Sequence, residues 1–285
     1  MMDVIYKIMD TLLPFEIFRF TFMKNALLAI LLLTPLLALL GTMAVNKRMA
    51  FFSDALGHSA LFGLGLGVLL GISNVTVILV SFGILWAMLI TRINRAGGAS
   101  ADTTISVFSS TGIALGLLIL SGNGRFSKYS AILVGDVLAV TQGDILWLAL
   151  SLVIGVILWA VLYNKLLLTA VNPQLAQSRG IRTNPVEYAF VILVAVAVML
   201  SIRWVGVLLI NALLILPAAA ARNIARNARQ HAVYSVLFSV FSGVCGLCIS
   251  VPLSSSVGAA VVLCAACIYA VTLLLSRILR IRLQA

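Results

Sequence analysis

Charge is scarce in this sequence. Only 9% of its 285 residues are Asp, Glu, Lys or Arg, against about 25% in soluble globular domains. Acidic residues number eight and histidines two. That scarcity excludes a soluble enzyme, a disordered chain and a nucleic-acid-binding domain. The net charge of +11 does not restore the last of these, because the basic residues stand singly or in small groups between long apolar runs. A G-x-x-x-x-G-K-S/T loop is also missing, so the chain does not hold ATP phosphates by that route. GLGLG at 63–67 resembles a dinucleotide loop only superficially. It sits inside an apolar run with no strand before it, where close helix packing is the better reading.

What remains is apolar. Hydrophobic residues make up 62% of the chain and the mean hydropathy is +1.18. Nine segments read as spans: 26–45, 54–72, 75–91, 103–121, 144–163, 188–202, 205–220, 232–250 and 257–275. Most supply the roughly 20 residues that a helix needs to cross about 30 Å of hydrocarbon. The sixth and seventh are parted only by Arg203-Trp204, so the expected fold is all-α and polytopic with eight or nine spans. Residues 131–140 (AILVGDVLAV) are too short to cross and read as a re-entrant or interfacial piece. With nine spans and the N-terminus outside, thirteen of the 19 Lys and Arg fall in cytosolic loops, as the positive-inside rule favours. That places the C-terminus in the cytosol. The first residues have acids and no compact signal-peptide pattern. Residues 1–25 are expected as an outer-face segment, and 26–285 as one membrane domain.

Asp54 and His58 are the residues with chemistry. They lie at i and i+4 and share a helix face. Counted from Lys47-Arg48 at about 1.5 Å per residue, His58 is roughly 16 Å deep, near the bilayer midplane. An ionisable pair at that depth is costly, and so marks a functional site. Carboxylate oxygen and imidazole nitrogen suit zinc, manganese or iron. One chain offers two such donors, and two copies about a two-fold axis would offer four. The other reading is an intrahelical pair that only orders the helix. A serine-hydrolase reading of Ser53, Asp54, His58 and Ser59 is weaker, because a triad needs groups arriving from different directions.

The remaining polar residues divide into structural and functional readings. Cys245-x-x-Cys248 and Cys264-x-x-Cys267 have a zinc-like spacing, yet both pairs lie in apolar runs where cysteine acts as a small hydrophobe. Asp102 and Asp144 resemble N-terminal helix caps, and Glu187 follows Asn184-Pro185 at a helix start. Asp136, in the re-entrant piece, and Ser53 are candidates for the substrate path. His231 reads as a surface residue. After Pro217, AAAARNIARNARQH reads as a short helix placing Arg222, Arg226 and Arg229 on one face. Since the chain carries no motor, that face suits a cytosolic partner.

The order of these motifs resembles the permease subunits of zinc/manganese ABC importers. The resemblance runs through NKRMAFFSDALGHSALFG (46–63), ADTTISVFSSTGIALGL (101–117) and LVGDVLAVTQGDI (133–145). It continues through NPQLAQSRGI (172–181), VGVLLINALLILPAAAAR (205–222) and SVGAAVVLCAACIY (256–269). It implies a type II importer-like permease that acts as a homodimer in the cell membrane and is not itself an enzyme. The implied partners are a cytosolic ATPase dimer, an extracytoplasmic metal-binding protein, membrane lipid and no nucleic acid. No permanent cofactor is implied, only a transported divalent metal. Asp54 and His58 correspond to the family's metal ligands, and 217–230 to its coupling segment. GDVLAV is nearer the zinc members, while FSSTGIALG also fits manganese and iron ones. The family often has an acid before the last G-A run, where this chain reads SVPLSSSVGAA. A proton-coupled secondary transporter using the same pair is the alternative of another class.

Overall fold

The computed structural model describes residues 20–97, 100–124 and 135–284, with Tyr6, Lys7, Met9, Phe126, Ser127 and Tyr129; for 279–284 it describes the backbone alone. Most of the expected 1–25 segment, and 131–134 of the re-entrant piece, lie outside the described residues. The described chain is helical throughout. Its helices are α1 (Thr21–Asn46), α2 (Phe52–Leu69), α3 (Val75–Ala96), α4 (Ala101–Gly122) and α5 (Gln142–Val171). After these come α6 (Pro173–Ser178), α7 (Thr183–Ile224), α8 (Ala228–Ser250) and α9 (Val257–Gln284). Eight of the nine are long and apolar enough to cross a membrane, the short α6 being the exception.

Local chemistry sets the helix starts. In hydrocarbon an unpaired backbone N–H costs several kcal/mol, so each helix start needs its own acceptor or an outlet to water. Asn74 accepts from the N–H groups of Thr76 and Val77, and Ser100 from that of Thr103. Thr141 and Asp144 form a reciprocal capping box at the start of α5. Two expectations change here. Asp102 sits in the first turn behind its cap Ser100, and Asp144 is the third residue behind Thr141. The hydroxyls, two and three residues further upstream than the spacing suggested, reach the free N–H groups first. Glu187 lies past the first turn of α7 and pairs with Arg95 at 3.1 Å.

The 42-residue α7 settles the number of crossings. Run straight, it would be about 63 Å long, twice the hydrocarbon thickness. Instead, Glu187 near its start binds Arg95 at the end of α3, and Arg222 near its end donates to the Val45 carbonyl at 3.3 Å, at the end of α1. Its middle lies at the opposite face, where Arg203 Nη1 reaches Thr76 Oγ1 at 3.4 Å at the start of α3. The chain therefore doubles back. The turn is at Gly206, whose φ of 78° and ψ of 164° occupy a region open essentially only to glycine. Residues 183–205 and 207–224 are two antiparallel arms, and the described residues make nine passes. Arg203-Trp204, which split the two apolar segments in the sequence, is the tip of this hairpin.

Both arms of α7 form the centre of the bundle, touching α1, α2, α3, α5, α8 and α9. Small residues permit that density. Gly41 lies against the Leu214 carbonyl, Gly57 against Val207, and Gly83 against Met199. Gly63, Gly65 and Gly67 take up Phe82, Ile119 and Ile78, so GLGLG is a helix-packing surface as read from the sequence. Gly112 and Gly116 bring α4 onto the backbone of α2. Of the re-entrant piece, 137–139 form a single 3-10 turn. Gly135 lies against the backbone of Val205 and Gly206, and the Val140 carbonyl accepts from Asn25 Nδ2 at 3.1 Å. This piece thus seals the hairpin tip against α1.

Candidate metal site

The Ser59 Cα lies close against Gly112 of α4. Gly112 is eleven residues into α4, about 16 Å from its start. The Asp54–His58 turn of α2 is therefore near mid-depth. Asp54 Oδ1 and His58 Nε2 are 3.3 Å apart, and each side chain is 41% exposed. Half-exposure in the middle of a bundle means that the pair faces out of this protomer. Asn211 on the second arm of α7 completes the group, donating from Nδ2 to Asp54 Oδ1 at 2.8 Å. Its own Oδ1 is buried and without a hydrogen-bond partner. Sequence reasoning missed Asn211. The available signal was a lone amide within the apolar run VLLINALLIL. Leu208, one turn earlier on the same arm, is 58% exposed.

The other sequence candidates are distributed differently. Ser53 is buried and its Oγ has no hydrogen-bond partner, while Ser59 Oγ meets the Phe108 carbonyl at 3.5 Å. No nucleophile–base bond forms, which removes the geometric basis of the hydrolase reading. Asp136 lies at the hairpin-tip face, exposed, and accepts from the Leu138 N–H at 2.9 Å. The structure does not bring it to Asp54 and His58. All four cysteines are free thiols, and no cluster of three or more His, Cys, Asp or Glu is poised for a metal among the described residues. Asp54 and His58 are thus two potential donors brought together in this chain, with their open side facing away from the packed bundle.

The segment after Pro217 departs from expectation. Pro217 is buried in the second arm of α7, which ends at Ile224. Arg222 is in its last turn, Arg226 in the break, and Arg229 in the first turn of α8. The three arginines are exposed but share no single helix face. Asn227 is the reason: its side chain caps α8 by accepting from the Gln230 N–H at 2.8 Å, and Gln230 Oε1 accepts from the Arg226 N–H at 3.0 Å. An asparagine with a partner three residues on starts a new helix more effectively than alanines extend the old one. His231, expected at the surface, is 6% exposed. Its Nε2 is 2.9 Å from the Ala218 carbonyl. The new helix start turns its ring inward and ties α8 to α7 across the break.

The same face holds a polar cavity of about 530 Å³ lined by Lys47, Arg48, Arg95, Gln177, Asn184 and Glu187, among others. Burial lowers the Lys47 ammonium below the usual lysine range, Glu187 opposes this, and Arg95 adds to it. Arg95 also lies over the Tyr188 ring at 6.0 Å.

Comparison with known proteins identifies the family and the fold. The sequence profile of the ABC 3 transport family matches residues 19–276. The high-affinity zinc uptake system membrane protein ZnuB of Haemophilus influenzae is 31% identical over 256 residues, 89% of this chain and 97% of that one. The manganese import system permease protein ScaB of Streptococcus gordonii is 31% identical over 89% of this chain and 91% of its own. Among solved structures, PsaBC from Streptococcus pneumoniae in complex with Fab superposes with a TM-score of 0.78 at 26% identity, covering 95% of each chain.

Proposed function

Since the chain belongs to the ABC 3 transport family, we propose that it is the permease subunit of an ATP-driven importer carrying a divalent metal, zinc in the first instance and manganese as the alternative, into the cytosol. The observation that carries this reading is the half-exposed Asp54–His58 pair at mid-depth, held by Asn211 and open on the outward side. Its relatives are named for zinc and manganese uptake.

The basic face, with Lys47, Arg95 and Arg222, is the cytosolic one by the positive-inside rule. With nine passes among the described residues, α1 starts on the outer side and α9 runs to the cytosolic side. Two copies about a two-fold axis bring two Asp and two His together, a tetrahedral set. Metal delivered from an outer binding protein meets this set as substrate. Asn211 holds one oxygen of Asp54, which leaves its other oxygen and the His58 imidazole to face the metal. ATP is hydrolysed by separate chains docked at the break around Arg226. Asn211 and Ile224 belong to the same helical arm, about 20 Å apart. A displacement at the break is thereby passed along this arm, through Pro217, to the donor that orients Asp54.

Two measurements test this. Uptake of radiolabelled zinc in cells expressing the permease should require co-expression of an ATPase chain with a G-x-x-x-x-G-K-S/T loop. Uptake by the permease alone, collapsing with the proton gradient, would establish the secondary-transporter reading instead. For Asn211→Ala, zinc uptake should fall about tenfold or more while the protein remains folded. A hydrogen bond to a charged group contributes about 1.5–3 kcal/mol, and 1.4 kcal/mol is a factor of ten. Wild-type uptake in Asn211→Ala would remove Asn211 from the mechanism.

A further inference from the structure

We propose that a slot between α5 and α8 binds one anionic phospholipid of the leaflet on the basic face. The two helices both pack on α1 but scarcely on each other, and between them lies a cavity of about 600 Å³ floored by Leu39. α8 lines it with Arg229, Ala232, Val233, Val236 and Leu237, one face of its first turns, about 12 Å long. α5 supplies Trp159, Ala160 and Tyr163. The slot exists because Ala160 and Ala232 are small beside bulkier neighbours. Its wall is apolar except for three groups: the Arg229 guanidinium, the Tyr163 hydroxyl and Trp159 Nε1. The last is buried and has no hydrogen-bond partner. An apolar slot of this shape takes an acyl chain.

The flank is apolar and exposed. Ile157, Val161, Val233 and Leu237 are exposed on it, while α2 with the metal pair packs on α3, α4 and α7 instead. Charge selects the headgroup. Arg229 stands exposed at the basic end, in the first turn of α8. No Asp or Glu lines the slot or the adjoining cavity of about 450 Å³ among the described residues. A phosphodiester there meets the Arg229 guanidinium with no competing carboxylate. Trp159 and Tyr163, with rings 4.6 Å apart, form the aromatic wall that suits the glycerol level.

The test is native mass spectrometry of the permease with its ATPase partner, taken from nanodiscs of equal phosphatidylglycerol and phosphatidylcholine. One phosphatidylglycerol should be retained per permease chain, favoured about fivefold over phosphatidylcholine, the scale of one arginine at an anionic surface. Ala232→Phe, which fills the slot, should retain neither lipid. Arg229→Gln, at an exposed position that leaves packing intact, should retain lipid without preference, and so keeps the test decisive if Ala232→Phe does not assemble. Equal retention of the two lipids by the wild type, no retention at all, or an undiminished preference in Arg229→Gln would overturn the proposal. Because the readout is bound lipid, it is independent of whether the metal pathway is correctly assigned.

Discussion

Replacing Asp54 or His58 by alanine is expected to reduce metal uptake at least about 100-fold while the permease still reaches the membrane and assembles. Even outer-shell partners of metal ligands are worth about 10–100-fold, and these two side chains would be the ligands themselves. The competing reading, an intrahelical pair that only orders α2, predicts the opposite pattern. It requires a loss of stability and leaves transport intact. Magnitudes favour the first. A charged group near the bilayer centre costs about 3 kcal/mol, whereas an i,i+4 ion pair on a helix returns about 0.3–0.5 kcal/mol. A pair kept at such a net cost is not explained by helix stability. Removing either member should lower the thermal unfolding temperature of the solubilised protein far less than it lowers uptake, the loss being that of one partner to Asn211 or Asp54. Radiolabelled zinc uptake and thermal unfolding, measured on the same variants, separate the two accounts. Normal uptake in Asp54→Ala or His58→Ala would end the pathway assignment.

Gly41→Leu should have the largest structural effect. A Cβ at Gly41 would overlap the carbonyl oxygen of Leu214 and touch Ala218 Cβ at 3.4 Å. Overpacking against side chains costs about 1–3 kcal/mol. Here the obstacle is backbone in the second arm of α7, so α1 and that arm must separate, and the cost should exceed this range. The consequence reaches the site, because Leu214 is one helical turn from Asn211. Separation of α1 from this arm disturbs the seating of the donor to Asp54. Fluorescence-detected size exclusion after heating should show a large loss of monodisperse protein for Gly41→Leu. Gly122, with nothing within 4 Å of its Cβ position, is the control, and Gly122→Ala should behave as wild type. Equal stability of Gly41→Leu and wild type would contradict the close packing described here.

How much of this was legible in the sequence depended on whether the signal was local. Asp54 and His58 stood out because i,i+4 spacing inside an apolar run fixes both their shared face and their depth. The Arg203-Trp204 interruption marked the hairpin tip, but the reversal itself rests on Gly206 having positive φ and on Arg95–Glu187 and Arg222–Val45, which are contacts between distant segments. Asn211 was invisible for the same reason: its partner is 157 residues away. The arginine triad failed through a local contest wrongly decided, since alanine propensity gave way to the Asn227 cap. His231 then followed the break and turned inward. Asp102 and Asp144 were read two and three positions too late, because Ser100 and Thr141 lie upstream of them and cap first.

The most direct test of the central claim is the metal content of the purified permease dimer, equilibrated with zinc and desalted, with zinc and protein quantified together. A site shared across a two-fold axis predicts one zinc per two chains, lost in His58→Ala and reduced in Asn211→Ala. One zinc per chain, or the same zinc content in His58→Ala as in the wild type, would contradict it.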